Sequence, residues 1–142
     1  MTSLTRKEIA PSTALRMVTD ALDHARANGW QVAAAVVDPH GHLVAFCRSE
    51  RCAAPVGPFA IDKAYTAGTL GKSTRAFGER MASSPTLGLG LSTRERLLAW
   101  GGGVAIWEGE DCIGGLGVSG ARDEEDIACA EAAIRAAGLD PR

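Results

Sequence analysis

The sequence predicts a single α+β domain over residues 1–142, with helices packed on a five-stranded, largely antiparallel sheet. Segments near both ends carry apolar residues at spacings of three and four, which marks one stripe of a helix. Between them lie short Val-, Ala- and Gly-rich runs joined by turns too brief for the crossover that parallel strands need. A length of 142 residues with 46% apolar content suffices for one core without staples.

The first helix is expected over Thr13–Asn28, with Leu15, Val18, Leu22 and Ala25 as its stripe. Ser12 or Thr13 is its expected cap, and Asn28-Gly29 its stop. Residues 1–11 then form an N-terminal extension. Gln31–Asp38 is a buried strand, Asp38-Pro39-His40-Gly41 a type I turn, and His42–Arg48 the second strand of a hairpin. A loop over Glu50–Gly57 leads to a helix from Pro58 to Leu70, with proline in its first turn. Ser73–Ala82 is a second, short helix. Ser83–Ser92 shows little periodicity and several turn-formers, so a loop is expected there. Strands are expected over Arg96–Trp100, Val104–Glu108 and Cys112–Ser119. Asp123 is expected to cap a last helix with an acidic first turn and the stripe Ile127, Ala130, Ile134 and Ala137.

Several function classes are excluded or disfavoured. The 15 Lys and Arg against 17 Asp and Glu give a net charge of −2, with no basic stripe for nucleic acid. No apolar run approaches a membrane span, and no signal peptide precedes the first helix, so a cytoplasmic location is expected. Cys47, Cys52, Cys112 and Cys129 match no zinc-site spacing, and no metal is expected. His40 and His42 on the hairpin have no third ligand nearby in sequence. His24 shares a helix face with Asp20, four residues earlier, which favours a surface pair.

The chemistry-bearing segment is PFAIDKAYTAGTL, Pro58 to Leu70. It is apolar nearly all round, so it is expected to be covered on several sides. Lys63 lies on the stripe of Phe59, Ala67 and Leu70. A lysine so placed either forms a structural ion pair, snorkels to the rim, or serves as an anion-binding or acid/base group. Tyr65 and Thr66 add hydroxyls beside it. Gly101-Gly102-Gly103 and Gly114-Gly115 put glycine-rich backbone on neighbouring strands, either to floor a pocket or to curve the sheet. Candidate ligand-binding residues are therefore Lys63, Phe59, Trp100, Gly102, Gly103 and Gly115. Lys63, Tyr65 and Thr66 are the candidate catalytic set.

Four pieces together carry a resemblance: VAAAVVDPHGHLVAF (Val32–Phe46), DKAYTA (Asp62–Ala67), TLGLGLS (Thr86–Ser92) before GGGVAI (Gly101–Ile106), and IGGLGVSG (Ile113–Gly120). In this order and spacing the chain resembles the GlcG/HbpS family. That family is also called the haem-degrading-domain family, and it is related to the C-terminal domain of PduO-type corrinoid adenosyltransferases. The resemblance implies a profilin-like α/β/α sandwich, assembly into dimers or larger homo-oligomers, and binding of haem or a corrinoid-related group in some members. Some relatives place a haem ligand near the first helix or just ahead of the DKAYTA-like helix. Val56-Gly57-Pro58 stands at the latter place here and offers none, which leaves His24 and Cys52 as candidate iron ligands.

Two functions follow as expectations: a small-ligand-binding protein for haem or another flat anionic molecule, or a cofactor-independent lyase, isomerase or hydrolase acting on a small carboxylate. A third reading makes the chain an assembly module with Lys63 bonded across subunits.

Overall fold

A computed structural model describes all of residues 1–142. The elements are α1 (Pro11–Ala27), β1 (Ala33–Val37), β2 (Leu43–Arg48), α2 (Val56–Leu70), α3 (Thr74–Ala82), α4 (Pro85–Leu91), β3 (Gly103–Glu108), β4 (Asp111–Ser119), α5 (Asp123–Ala136) and β5 (Asp140–Pro141). The strands form one antiparallel sheet in the order β2-β1-β4-β3-β5. No helix is long and apolar enough to cross a membrane.

Alternation along β1 explains the layering. Val32, Ala34 and Val36 join Leu116 and Val118 of β4 on the face covered by α1 and α5. Ala33, Ala35 and Val37 turn to the other face, where they meet Ala60 and Ala64 of α2. Because both faces are covered, every residue of β1 is buried. The result is the α/β/α sandwich with a five-stranded sheet that the sequence and the resemblance imply.

On the α2 side the contact is backbone on backbone. A methyl group added to Gly117 would overlap the Ala60 carbonyl oxygen, one on Gly115 the Ala64 carbonyl oxygen, and one on Gly103 the Lys63 carbonyl oxygen. The glycine strands are thus the seat of a helix rather than the floor of an open pocket. Gly68 of α2 returns the same contact against Gly114 and Gly115.

Four expectations need correction. Arg96–Trp100 is not a strand: Arg96 sits at φ 65°, and the Leu98 N–H donates to the Thr66 hydroxyl at 3.0 Å. Its backbone is spent on α2, and the fifth strand is Asp140–Pro141, paired to β3. Ser83–Ser92 contains a helix, α4. Its glycines are offset by Pro85 in the first turn and by the Ser84 hydroxyl, which accepts from the Leu87 N–H at 3.4 Å. Residues 1–11 are not merely an extension. The Ile9 N–H donates to the Ile113 carbonyl at 2.9 Å, Ile9 is buried, and Pro11 already opens α1. Asp123 does not cap α5, because its carboxylate accepts from the Gly101 N–H at 3.0 Å while Glu125 reaches back to the Arg122 N–H.

The helical stripes hold only in part. In α5, Ala130 and Ile134 are buried with Cys129 and Ala133, while Ile127 is half-buried and Ala137 lies exposed just past the helix. In α2, Ala67 is buried with Lys63, while Phe59 and Leu70 are exposed. Ala14, Met17 and Ala21 join Val18, Leu22 and Ala25 in the core, whereas Leu15 is 58% exposed. Helix α2 begins at Val56, two residues before Pro58, and ends at Gly71 in the left-handed conformation (φ 67°). Ser73 caps α3 by accepting from the Ala76 N–H.

The β1–β2 turn is tied by one carboxylate. Asp38 accepts from the His40 and His42 N–H groups at 2.8 and 3.0 Å and lies 2.9 Å from the His42 ring. Burial works to raise its pKa, but these bonds outweigh it and hold Asp38 below its ordinary 3.8.

Two outcomes follow. Gly117→Ala should cost about 3 kcal/mol by overpacking α2 against β4, lowering the thermal midpoint by roughly 10 °C; an unchanged midpoint would contradict the close seating. For Asp38, the folded pKa lies below the unfolded one, so its stabilisation is complete above pH 3.8 and lost as pH falls through the folded value. Asp38→Ala should therefore destabilise by about 1 kcal/mol at pH 7 and by much less near pH 2, measured by urea unfolding.

Candidate functional site

Lys63 is wholly buried, although it belongs to the residue type least often found inside. Its backbone carbonyl lies against Gly103 and its Cβ against Gly117, and Nζ comes to rest beside Gly102 at the entry to β3. There the ammonium donates to the Val118 carbonyl at 2.9 Å and to Asp126 Oδ2 at 3.1 Å. The other oxygen of Asp126 accepts from the Ala121 N–H at 3.0 Å. Lys63 and Asp126 expose 0% and 2% of their side chains. The pair joins α2, on one face of the sheet, to α5, on the other.

Both groups feel their surroundings. Burial lowers the Lys63 pKa against the attraction of Asp126, and burial raises the Asp126 pKa against the attraction of Lys63. Each charge is tolerable only because the other is there. Of the alternatives open to Lys63, the geometry fits the structural ion pair within one chain.

Over this pair lies an aromatic cover. Trp100 has its ring centroid 5.8 Å from Lys63 Nζ, within cation–π range. Phe59 meets Trp100 edge to face, with centroids 5.6 Å apart. Phe59 and Trp100 are 39% and 41% exposed, so the outer side of the aromatic pair faces solvent.

The structure thus brings together Lys63, Phe59, Trp100, Gly102 and Gly103. Gly115 lies apart, pressed against Ala64 and Gly68 further along α2. Thr66 and Tyr65 serve the chain. The Thr66 hydroxyl lies 2.8 Å from the Asp62 carbonyl and 2.9 Å from that of Arg96. The Tyr65 ring fills the space beside Gly41 and carries the Arg96 guanidinium 3.9 Å from its centroid. Arg96 also reaches Asp62 at 3.3 Å, so the 94–100 segment is strapped across α2. None of the five main surface clefts is lined by Lys63, Phe59 or Trp100.

The two candidate iron ligands fall on different layers. His24 is half-buried on α1 beside Trp30, ring centroids 6.2 Å apart, and is not bonded to Asp20. Cys52 packs with the α2-side cluster, its thiol 3.3 Å from the Ser49 carbonyl. They cannot ligate one iron between them. All four cysteines are free, and burial raises the Cys129 thiol to about 12. No group of three or more His, Cys, Asp or Glu is placed to hold a metal ion.

Asp126 is the residue the sequence reading missed. It was legible in principle: it lies four and eight positions before Ala130 and Ile134, on the apolar stripe of α5. A carboxylate on one apolar stripe and an amine on another are each other's natural partners.

Comparison with known proteins places this architecture. The model of a family described as haem degrading protein HbpS-like matches residues 9–135. The chain is 30% identical to protein GlcG of Escherichia coli K12 over 115 residues, 81% of this chain and 84% of that protein. It is 31% identical to corrinoid adenosyltransferase PduO of Salmonella typhimurium over 106 residues, 74% of this chain but only 32% of that longer protein. Among solved structures, a PduOC:heme complex superposes with a TM-score of 0.84 at 26% identity, covering 94% of this chain and 97% of the other.

The ion pair makes a measurable prediction. Lys63→Met and Asp126→Leu should each cost about 3–5 kcal/mol, because each leaves a buried charge unpaired. The double variant should recover at least half of the summed loss, read by denaturant unfolding as a double-mutant cycle. Additive losses would mean that the two groups do not pair.

Proposed function

The chain belongs to the HbpS-like family of haem degrading proteins, and from that premise we propose that it is a small-ligand-binding protein that holds a flat, ring-bearing molecule on the Phe59–Trp100 surface. The observation that carries this reading is the half-exposed aromatic pair stacked over a sealed ion pair. A large aromatic face kept partly in water, on a rigid base, suits stacking against a planar ligand. Haem, named for the PduOC neighbour, is the leading candidate.

The residues fit a tetrapyrrole ring better than they fit an iron atom. Lys63 is no propionate partner, since its hydrogens are turned inward to Val118 and Asp126. It acts from beneath, fixing α2 and the ring of Trp100. His24 belongs to the opposite layer, and Cys52, in the same layer as α2, is the one candidate ligand that shares it. Ring stacking is thus the proposed source of affinity. The half-exposed Leu43 and Phe46 on the edge strand β2 support self-association as part of the same proposal.

The enzyme alternative requires Lys63 to reach a substrate, with Tyr65 or Thr66 assisting. A covered amine and two hydroxyl-bearing side chains engaged in holding the 94–100 strap and the hairpin favour the binding reading over it.

Titration with hemin and with metal-free protoporphyrin IX tests this reading. Both should bind saturably with affinities within about tenfold of each other, and Trp100→Ala should weaken both by about tenfold or more, the equivalent of one aromatic contact. His24→Ala should leave both unchanged. Binding of hemin alone that is abolished by His24→Ala would overturn the assignment, as would failure of either ring to bind.

A further inference from the structure

The two edges of the sheet are finished differently. At one edge β5 is only two residues long, Asp140–Pro141, and its proline has no N–H to offer a further strand. At the other edge β2 runs for six residues, Leu43-Val44-Ala45-Phe46-Cys47-Arg48, with Arg48 as its one charge and no proline. Helix α2 lies over β4, β1 and β3 and barely touches β2, so Leu43 and Phe46 on that face stay 50% and 39% exposed. An edge of this length and apolarity is a template for another strand.

The register of β2 on β1 shows what the free edge offers. The Ser49 N–H donates to the Val32 carbonyl at 2.8 Å, so alternation turns the backbone groups of Cys47 and Ala45 toward β1 as well. Those of Phe46 and Arg48 point away from the sheet. The side chains sort by face. Phe46 and Arg48 stand opposite Ala35 and Ala33 on the α2 side, and the exposed Cys47 stands opposite Ala34 on the α1 side. This alternation stops at a bulge, where Val44 is an extra residue and turns to the α1 side together with Ala45.

We propose that β2 pairs antiparallel with β2 of a second copy, about a two-fold axis through Cys47, so that the two sheets become one. This deepens the self-association proposed above and rests on it, and it is independent of the ring-binding surface. A two-fold axis perpendicular to the sheet keeps each face on its own side, so residues that meet must share a face. Centres at Val44, Ala45 or Phe46 fail that condition, because the bulge sets an α1-side residue against an α2-side one. A centre at Leu43 pairs Phe46 and Arg48 with the turn, and a centre at Arg48 sets two guanidinium groups side by side. Centred on Cys47, the outward N–H and C=O of Phe46 meet those of Arg48 of the partner subunit, and the reverse. Each guanidinium then lies across from a phenyl ring, a favourable cation–π pair. The two Cys47 side chains meet on the α1 side as a non-hydrogen-bonded pair, with Cα atoms about 4.5 Å apart, within the span of a disulfide.

Oxidation of the reduced protein with diamide, which takes up the two thiol hydrogens as a disulfide forms, tests the register. A disulfide-linked dimer should appear, be abolished in Cys47→Ser and persist in Cys52→Ser. In sedimentation equilibrium under reducing conditions, Phe46→Lys should weaken the dimer by about tenfold or more, since it sets a like charge against each Arg48. Adding Arg48→Glu to Phe46→Lys should restore the parent's affinity, which a misfolded variant would not do. Trp100→Ala should dimerise as the parent does, so that loss of ring binding and loss of the dimer are told apart. A chain that stays monomeric at all concentrations would leave the edge to a strand of another protein, and would overturn both this pairing and the self-association. A dimer without the Cys47 cross-link, or a charge-swapped variant as weak as Phe46→Lys, would overturn this pairing alone.

Discussion

One ammonium held in a dry interior conditions the rest of this structure. Lys63 Nζ can be there only because Asp126, Val118 and, across a ring face, Trp100 surround it. Removing two charges from water costs several kcal/mol per ion, and good geometry returns about as much. The pair is therefore better understood as a device for specificity than as a large source of stability. It sets the rotation of α2 on the sheet, anchors α5 on the far side, and places the aromatic cover.

The glycines are the other half of that arrangement. A helix can lie backbone against backbone on β3 and β4 only where both strands lack side chains facing it, and Gly103, Gly115 and Gly117 meet that condition. The same closeness lets the lysine stem pass the entry of β3 and reach the other layer. With larger residues there, α2 would stand further off, Nζ would fall short of Asp126, and the aromatic pair would lose its base.

Much of this was legible in the sequence, for definable reasons. The stripes of α1 and α5, the β1–β2 hairpin with its Asp-Pro-His-Gly turn, and the glycine-rich strands are local patterns with local causes. The misreadings share another origin. Arg96–Trp100 looks strand-like, but Thr66 of α2, some thirty residues earlier, takes its Leu98 N–H. Ser83–Ser92 looks loop-like because of its glycines, yet Ser84 and Pro85 start a helix. The candidate site shows the same division. Lys63 stood out as a lone cation among apolar residues, and its grouping with Phe59, Trp100 and Gly102 is tertiary fact. Its counter-ion was hidden among four consecutive acids at the start of α5, three of which do something else. Which of them turns inward depends on the rotation of that helix.

The most direct measurement is the side-chain ¹⁵N spectrum of the lysines, of which there are only three: Lys7, Lys63 and Lys72. If Lys63 is sealed and paired, its ammonium should give an observable signal at neutral pH whose hydrogens exchange slowly with water and show a coupling across the hydrogen bond to a carboxylate. Lys7 and Lys72 should exchange too fast to be seen. A Lys63 amine that exchanges as fast as the other two would contradict the account.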